Sequence, residues 1–379
     1  DQGYALSSVA VAPTLKDQDA SVALHFTANP GQHSYVHRIH FTGNDRTADY
    51  VLRQRMQQME GALYSKKKID ESKRKLALLP YFKNIGVSSE PVPGHPDQVD
   101  LNYKVEEVKA GSAQVQVGYG DVDGFLYGAN ISEPNFMGTG KFVSLGFQRS
   151  SYWSQYSYSY NNPFYTEDGV GRGFNLSYTH YTPSDVDLGS YSENQYGGSV
   201  NYSLPMTQNN SLTLGYGYSR YEISDVIGNA TISPSIEDFV TQNPSPYDQF
   251  ILNAGWSFDG RDRAVFPTKG LLTSLNLTVG PPVLSSTVPY YTASYNAQWY
   301  IPVGKGFVIS PHTQLGYGGG MGSDDELPFF YNFYAGGIDT MPGFEANSLG
   351  PRYDYTTLDT NGDVSDSGTS YLGGNLELL

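Results

Sequence analysis

Three histidines in the first part of the chain, His33, His37 and His40, are the first residues whose type could do chemistry. Imidazole is a common protein ligand for zinc and other transition metals. These histidines fall on a linker and on the start of a strand, where a spacing of four residues does not place side chains side by side. The chain also has no cysteine, the other main zinc ligand. We therefore expect no metal site and no metal cofactor.

A second candidate begins at Asp359, where Asn361 and Asp363 follow at alternate positions like the start of a calcium loop. Position six is Val364 rather than Gly, and position twelve is Ser370 rather than Glu. The pattern therefore fails where calcium loops are strict, and an exposed loop is the preferred interpretation. The chain also contains no phosphate-binding glycine loop and no nucleophile elbow. Its residues therefore predict neither a catalytic site nor a cofactor.

The composition points instead to membrane-spanning strands. The 379 residues include 32 Tyr and 42 Gly, and beyond about residue 110 apolar and small polar residues alternate. In 151–161, for example, Tyr156 and Tyr158 share one face of a strand, and Gln155 and Ser157 share the other. Twelve such spans run from 112–119 to 371–379. They favour a barrel with lipid outside and water inside, and a soluble sandwich, which also alternates, is the alternative.

The charge and hydropathy patterns narrow the class further. Lys and Arg number 23 and Asp and Glu number 38, so the formal charge is 23 − 38 = −15. This acidic balance argues against a general nucleic-acid binder, which needs an electropositive surface. The chain has no run of 18 or more apolar residues, which argues against a protein that spans the membrane with helices.

Residues 32–109 have a different pattern, which predicts a β-α-α-β-β unit. Gly43 and Asn44 form a turn signal after the first strand. Thr47 is a plausible N-cap for a helix that runs to about Met59, and Ser65 is a plausible N-cap for a second helix that Pro80 ends. The predicted strands are 36–41, 81–88 and 98–106.

These motifs resemble a polypeptide-transport-associated (POTRA) domain, whose hallmarks include the Gly43 turn, Gly61, Tyr64 and the 99–101 strand. Residues 1–31 resemble the last two strands of a preceding, truncated POTRA domain. Segments 118–148, 258–270 and 330–351 resemble the barrel of the BamA group of outer-membrane assembly and translocation proteins. The resemblance implies a transmembrane antiparallel β-barrel over 110–379 that follows an α+β POTRA domain. About twelve of the family's roughly sixteen strands are visible, so we expect the barrel to be incomplete at its C-terminal end.

The resemblance also implies a function without covalent catalysis and without cofactors. The protein is expected in the outer membrane of a Gram-negative bacterium, with its POTRA domains in the periplasm, where it folds and inserts barrel proteins. The implied partners are unfolded outer-membrane proteins, accessory outer-membrane lipoproteins of the assembly complex, periplasmic chaperones, phospholipid and lipopolysaccharide. Two alternatives remain, namely a related translocase for autotransporters or secreted partner proteins, and a passive diffusion porin.

Three candidate sites follow from this resemblance. The first is a POTRA strand edge that pairs with extended clients by β-augmentation. The second is the first barrel strand, which pairs weakly with the last so that a lateral seam can open. The third is a motif in the long loop 319–370 that folds into the lumen. The edge comprises Tyr81, Phe82, Lys83, Asn84, Ile85, Gly86 and Val87; the seam strand comprises Gln114, Val115, Gln116, Val117, Gly118, Tyr119 and Gly120; the loop motif comprises Gly336, Gly337, Met341, Pro342, Gly343 and Phe344.

The loop motif departs from its family at Pro342, where an Arg is usual. Pro has neither charge nor backbone donor, so it cannot make the bidentate pair that an Arg could make with acidic groups of the barrel wall. The preferred interpretation is that Phe344 and backbone contacts hold the loop. Substitution by Arg352, or an altered function, is the alternative.

Overall fold

The structure is a computed structural model, and the chain divides into two compact units. The first comprises 1–111 and 133–141, and the second comprises 112–132 and 142–379. No helix in the described part of the chain is long and apolar enough to cross a membrane. The described residues are 3–5, 8–16, 21–120, 124–182, 191–207, 209–226, 234–263, 266–284, 286–304, 306–321, 327–336, 343–344, 349, 352–354, 363–365 and 370–378.

The first unit begins with an antiparallel hairpin of β1 (Ser8–Lys16) and β2 (Ser21–Asn29). Its register pairs Val11 with Phe26 and Val9 with Ala28, so these apolar residues lie on one face. Val11 and Phe26 are both exposed. The two strands predicted for 1–31 therefore form, and one face of their hairpin is apolar and uncovered by described residues.

The rest of this unit has the predicted β-α-α-β-β order. Its β5 lies between β3 and β4, parallel to β3 and antiparallel to β4. The two helices cover one face of this sheet and enclose a core that includes Leu52, Leu76 and Leu101, all fully buried. The elements are β3 (Tyr35–Thr42), α1 (Asp49–Arg53), α2 (Lys66–Ala77), β4 (Phe82–Val92) and β5 (His95–Glu107).

Local chemistry explains where these elements start and stop. The side chain of Ser65 accepts a hydrogen bond from the backbone N–H of Lys68, as expected of an N-cap, and α2 ends at Ala77, before Pro80. Gly43 has a φ of +86°, and a Cβ there would lie 2.0 Å from the carbonyl oxygen of Val105. Only glycine fits that turn.

The prediction for α1 was wrong in both its start and its length. The N-cap is Ala48, which makes no side-chain cap, and the helix ends at Arg53 rather than near Met59. The buried hydroxyl of Thr47 instead accepts a hydrogen bond of 2.8 Å from Nδ2 of Asn135, and its backbone N–H donates to Glu107 over 2.7 Å. These partners occupy the groups that an N-cap would use.

Residues 133–141 pack within the first unit, although they connect two strands of the second. The backbone N–H of Ala48 donates to the carbonyl of Gly138 over 2.9 Å. Gly138 has a φ of +73°, and a Cβ there would lie 2.0 Å from the carbonyl oxygen of Arg46. Asn135 also accepts from the N–H of Gly140 over 2.7 Å. This turn therefore has a shape that fits the start of α1.

The second unit contains a twelve-stranded antiparallel sheet, and every predicted span corresponds to one of its strands. The strands follow one another in chain order from β6 to β16, and β19 pairs with β16. They are β6 (Ser112–Gly120), β7 (Gly124–Glu133), β8 (Phe142–Arg149), β9 (Trp153–Asn162), β10 (Gly171–Tyr181), β11 (Ser192–Pro205), β12 (Asn210–Ser224), β13 (Tyr247–Asp259), β14 (Gly270–Gly280), β15 (Tyr290–Gly304), β16 (Phe307–Gly320) and β19 (Ser370–Leu378). The short strands β17 (Arg352–Asp354) and β18 (Asp363–Ser365) pair with each other.

The two faces of this sheet differ in chemistry, and we call them the aromatic face and the polar face. On the aromatic face a continuous row of rings crosses β7 to β11, with neighbouring centroids 4.9–6.2 Å apart. On the polar face, small neutral groups pair across strands, such as Ser211 with Ser257 at 2.7 Å. The row comprises Phe125, Tyr127, Phe147, Tyr156, Tyr178 and Tyr196.

In one region the polar face carries apolar side chains, and a helix and a loop segment cover them. The helix is α3 (Pro234–Gln242), and Phe239 from it packs with Tyr247 and Phe329. The loop segment is 327–336, within the long loop between β16 and β19. Its aromatic residues therefore lie against the sheet.

Candidate functional site

The first candidate site is the outer edge of β4. In the three-stranded sheet β4 pairs with β5 on one side only, and no described residue forms a backbone ladder with its other side. The side chains of Ile85 and Val87 pack on the core, whereas Gly86 and Ser88 are exposed. The pairing of β4 with β5 is regular from Ile85 to Pro91, with a register shift between Phe82 and Ile85. A strand added along the regular part would meet a half-polar edge, as β-augmentation requires.

Two of the seven residues predicted for this edge have another structural role. The side chains of Tyr81 and Phe82 are buried in the core, and Tyr81 precedes the strand. Burial raises the pKa of Tyr81 to about 12. Asn84 donates to Glu106 over 2.7 Å. The open part of the edge therefore begins near Lys83, and Tyr81 and Phe82 anchor it.

The opposite edge of the same sheet, on β3, is closed. The loop between the helices pairs with its start, since Val36 donates to the carbonyl of Ala62 over 3.0 Å and Gly61 donates to the carbonyl of Val36 over 2.7 Å. Further along, the N–H of Ile39 donates to Glu60 over 2.8 Å, and Arg53 donates to the carbonyl of Ile39 over 2.9 Å. Along 34–39, most backbone N–H and C=O groups on this side already have hydrogen-bond partners, so another strand could not pair there.

Electrostatics hold this closure in place. The backbone N–H of Ile39, and then the guanidinium of Arg53, lower the pKa of Glu60 below its usual value. Arg53 Nη1 lies 3.1 Å from Glu60, and Arg53 Nε lies 2.7 Å from Asp49. The Asp49 carboxylate in turn raises the pKa of Arg53. Both groups therefore stay charged at neutral pH, and each occupies one polar group of β3.

The second candidate site is β6, which pairs only with β7 among the described strands and ends the sheet opposite β19. Its side chains on the aromatic face are among the most exposed of the sheet, at 81% for Val115, 68% for Val117 and 81% for Tyr119. Gln114 and Gln116 lie on the polar face, beside a cleft that Gln148 also lines.

Glycine in β6 has no steric explanation at one of the two predicted positions. A Cβ at Gly118 would meet no atom within 4 Å, so packing does not require glycine there. Gly120 faces Gly124 at the end of the pair. Interior glycine weakens a strand, so Gly118 is compatible with the predicted weak pairing of β6, whereas Gly120 lies at the strand's end.

The third candidate site, the loop motif, is described only in part. Gly337, Met341 and Pro342 lie outside the described residues, as do Asp359, Asn361 and the side chain of Arg352. Gly336 and Gly343 have φ values of 114° and 94°, which favour glycine. Phe344 is 53% exposed, so it contributes little buried contact.

Buried contacts come instead from residues that the sequence did not single out. Leu327 and Phe329 are buried, and Tyr331 stacks on Tyr290 with a centroid distance of 4.0 Å. A Cβ at Gly316 would lie 2.6 Å from the ring of Phe333, so the missing side chain makes room for that ring. The run of aromatic residues in 329–334 and the glycines of β16 were the available signal.

The histidines His33 and His37 have different neighbours and do not form a common site. His33 contacts Tyr4 edge to face, and Nδ1 of His37 lies 2.9 Å from Asp100. Across the described residues, no group of three or more potential metal ligands comes together.

Comparison with known proteins identifies both units. Residues 135–379 match the family model of the Omp85 superfamily domain, and residues 34–108 match a POTRA family model, described as a surface antigen variable number repeat. The outer membrane protein assembly factor BamA of Neisseria meningitidis is 32% identical over 373 residues, which cover 92% of this chain and 44% of that protein. The chain therefore spans less than half of this relative.

Comparison with solved structures gives the same family and fold. BamA from Haemophilus ducreyi lacking POTRA domains 1–3 is 30% identical, with a TM-score of 0.82, over 100% of this chain and 73% of that one. CdiB from Escherichia coli, at 14% identity and a TM-score of 0.53 over 91% and 63%, shares the fold alone. These matches confirm the resemblance drawn from the motifs, and they confirm the fold class of a POTRA domain followed by barrel strands.

Proposed function

Because this chain belongs to the Omp85 superfamily, we propose that it folds and inserts β-barrel proteins into the outer membrane of a Gram-negative bacterium. The POTRA domain lies in the periplasm, and the twelve-stranded sheet forms part of the membrane wall. The work consists of pairing and releasing strands, without covalent catalysis and without a cofactor. The observation that carries this proposal is the open edge of β4, which has no second neighbour among the described strands.

The edge of β4 receives the client first. Backbone hydrogen bonds give affinity without reading the client's sequence, which suits a range of unfolded outer-membrane proteins. The closure of β3 by Glu60 and Arg53 supports this choice, since it leaves one edge of the domain for a client. Specifically, we propose that clients form backbone hydrogen bonds with residues 83–87.

The edge of β6 then accepts the client within the membrane. Unpaired backbone groups are costly in hydrocarbon, so a client strand that pairs with β6 removes that cost. Weak pairing near Gly118 and Gly120 lets the seam open. The loop segment 327–336 is held against the polar face by its aromatic residues, and this keeps the long loop inside the barrel while the seam works.

The partners follow from this role. Unfolded outer-membrane proteins are the clients, and periplasmic chaperones deliver them. Accessory outer-membrane lipoproteins complete the assembly complex, and phospholipid and lipopolysaccharide surround the wall.

The test uses single cysteines, because the chain has none of its own. Ser88→Cys lies on the open edge of β4, and Arg38→Cys is the matched control on the closed edge of β3; both positions are exposed. An unfolded porin that carries one cysteine should form a disulfide with the Ser88→Cys protein and not with the control. Equal crosslinking from the two edges would remove the β4 proposal.

A cellular experiment tests the function itself. Depletion of the protein should lower the amounts of folded porins in the outer membrane. Unchanged porin levels after depletion would contradict the assembly function.

A further inference from the structure

Arg172 of β10 is a positive charge on the aromatic face of the sheet. The side chains of a strand alternate between its two faces, and Arg172 lies an even number of residues before Tyr178, a member of the row of rings. Across the sheet, Arg172 faces Asn162 of β9 and Tyr202 of β11. A cation therefore lies on the side of the wall that meets lipid.

The direction of the strands puts Arg172 at the periplasmic end of the wall. The strand β6 begins at Ser112, shortly after the last strand of the periplasmic POTRA domain ends at Glu107. Ser112 therefore marks the periplasmic end, and strand direction alternates from β6 onward. By this alternation β9 ends and β10 begins at the same end, and Arg172 is the second residue of β10. The leaflet at this end of an outer membrane consists of phospholipid.

Two aromatic rings hold the guanidinium of Arg172 in place. Its Cζ lies 3.8 Å from the ring centroid of Tyr165, in the turn between β9 and β10, and 5.0 Å from that of Phe174. These rings are themselves supported, since Tyr165 contacts Tyr202 edge to face and Phe174 packs against Tyr160 at a centroid distance of 5.7 Å. A guanidinium this close over a ring uses its flat face for the contact, so the N–H groups in its plane remain available for hydrogen bonds.

Those N–H groups have no partner among the described residues. Arg172 makes no ion pair and no hydrogen bond with them, and its Nε is buried without an acceptor. The carboxylates of Glu167 and Asp168, in the turn between β9 and β10, are exposed and lie beyond ion-pair distance. Beside Arg172, Asn162 accepts from the N–H of Phe164 over 3.2 Å, and its NH₂ group has no acceptor in the described part of the chain. An unpaired charge beside hydrocarbon is costly, so an anion from the surroundings would stabilise it.

An apolar groove of about 720 Å³ continues from this position along the aromatic face. Its lining begins with Tyr160 and Phe174, one row of side chains further from the periplasmic end than Arg172, and extends past Val200 to Gly198. A phospholipid whose headgroup lies on Arg172 would have an acyl chain directly over this groove. A free phosphate ion would leave the groove unused, so the arrangement favours a lipid.

We propose that Arg172 binds the phosphate of a phospholipid from the periplasmic leaflet, with one acyl chain in the adjoining groove. The Nη groups of Arg172 donate to the phosphate oxygens, and the NH₂ group of Asn162 adds a further donor. The rings of Tyr165 and Phe174 fix the guanidinium before the lipid arrives, which lowers the entropy that binding costs. The bound lipid supplies the counter-ion that no described residue of the wall supplies.

The test measures lipid that stays bound to the purified protein in detergent, by native mass spectrometry. The probes are phosphatidylglycerol and diacylglycerol with identical acyl chains, which differ in the phosphate headgroup. We expect phosphatidylglycerol to be retained about tenfold better, the ratio that corresponds to one charge-assisted hydrogen bond. Arg172→Gln should remove this preference. Tyr165→Ala should lower it about threefold, because the guanidinium is then no longer held by that ring.

Arg263→Gln is the matched control, because it removes the same charge from an exposed residue in the turn between β13 and β14, at the same end of the sheet. It should leave the preference unchanged, and heat-dependent gel mobility verifies that each variant is folded. An equal loss in the Arg172→Gln and Arg263→Gln proteins, or no preference in the unmodified protein, would overturn the proposal. Millimolar inorganic phosphate should not displace the lipid, and full displacement would assign the site to a free anion instead.

A second measurement applies if the Arg172→Gln protein does not fold. Tyr202→Trp places a fluorophore opposite Arg172 on the neighbouring strand. Phosphatidylglycerol with brominated acyl chains should quench the added fluorescence more strongly than diacylglycerol brominated at the same positions. Equal quenching by the two lipids would overturn the proposal. Neither measurement involves a client, so failure here leaves the assembly function untouched.

Discussion

The three-stranded sheet and the twelve-stranded sheet use the same alternation of apolar and polar residues, but they turn the apolar face toward different surroundings. In the three-stranded sheet the apolar face points inward, and α1 and α2 cover it, so Leu101 is fully buried. In the twelve-stranded sheet the apolar face has no protein cover over most of the described strands, and the polar side chains pair with each other on the other face. A period of two therefore determines which residues share a face, and what covers that face decides its environment.

The largest expected effect tests the covered face. Leu101→Ala removes a fully buried side chain and should reduce the free energy of unfolding of the first unit by about 2–5 kcal/mol. Hydrogen exchange of peptides from 35–107 measures this loss. Leu78→Ala is the control, because Leu78 is 76% exposed and its removal should change little. Similar exchange in both variants would mean that this sheet face is not the core.

A somewhat smaller effect tests the uncovered face. Leu145→Arg places a charge on the aromatic face of β8 and should cost about 2–4 kcal/mol in a bilayer. Urea unfolding of the protein in lipid vesicles measures it. Gln148→Arg, on the polar face of the same strand, should cost much less, since that side chain lines a polar cleft. A harmless Leu145→Arg would show that the aromatic face does not meet hydrocarbon.

The smallest effect concerns the edges. Glu60→Gln removes the negative charge that accepts from Ile39, and it should weaken the closure of β3 by about 1 kcal/mol, a modest value because the Glu60 side chain is 43% exposed. Amide exchange in β3 should become faster. The Arg38→Cys control should then begin to crosslink with clients when it is combined with Glu60→Gln. If the Arg38→Cys protein still does not crosslink when Glu60→Gln is present, the 61–64 loop alone closes the edge of β3.

The same contact gives a pH dependence with a definite sign. The pKa of Glu60 in the folded protein is lowered from 4.5. Its stabilisation is therefore complete above pH 4.5 and is lost as pH falls through the lowered pKa. Comparison of exchange in β3 between the unmodified and Glu60→Gln proteins should show a difference at pH 6 that disappears in that acidic range. A difference independent of pH would exclude the charge as its cause.

The sequence predicted strands and turns well where local chemistry decides them. Every barrel span was found because alternation needs only the neighbours along a strand. The cap at Ser65 and the glycine at Gly43 follow from equally local rules. The helix cap at Thr47 was wrong because its partners, Asn135 and Glu107, are distant in the chain. No rule of spacing could anticipate them.

The candidate sites were harder to predict from the sequence, because they too depend on residues that are distant in the chain. The seven residues of the β4 edge were named as one set, but the burial of Tyr81 and Phe82 depends on how the core closes around them. The closure of β3 depends on Glu60 and Arg53, which approach it from other elements. The anchoring of the long loop by 327–334 was missed because it depends on contacts with distant residues, such as Tyr331 on Tyr290 and Phe333 over Gly316.

The turn at 133–141 has a consequence for the order in which the chain can mature. The hydroxyl of Thr47 finds its partner 88 residues further along, in Asn135. A ribosome makes that partner only after β6 and β7 have been synthesised. The hydrogen bonds that Thr47 and Ala48 make with the 133–141 turn are therefore added to the POTRA fold only after the first hairpin of the wall has been synthesised.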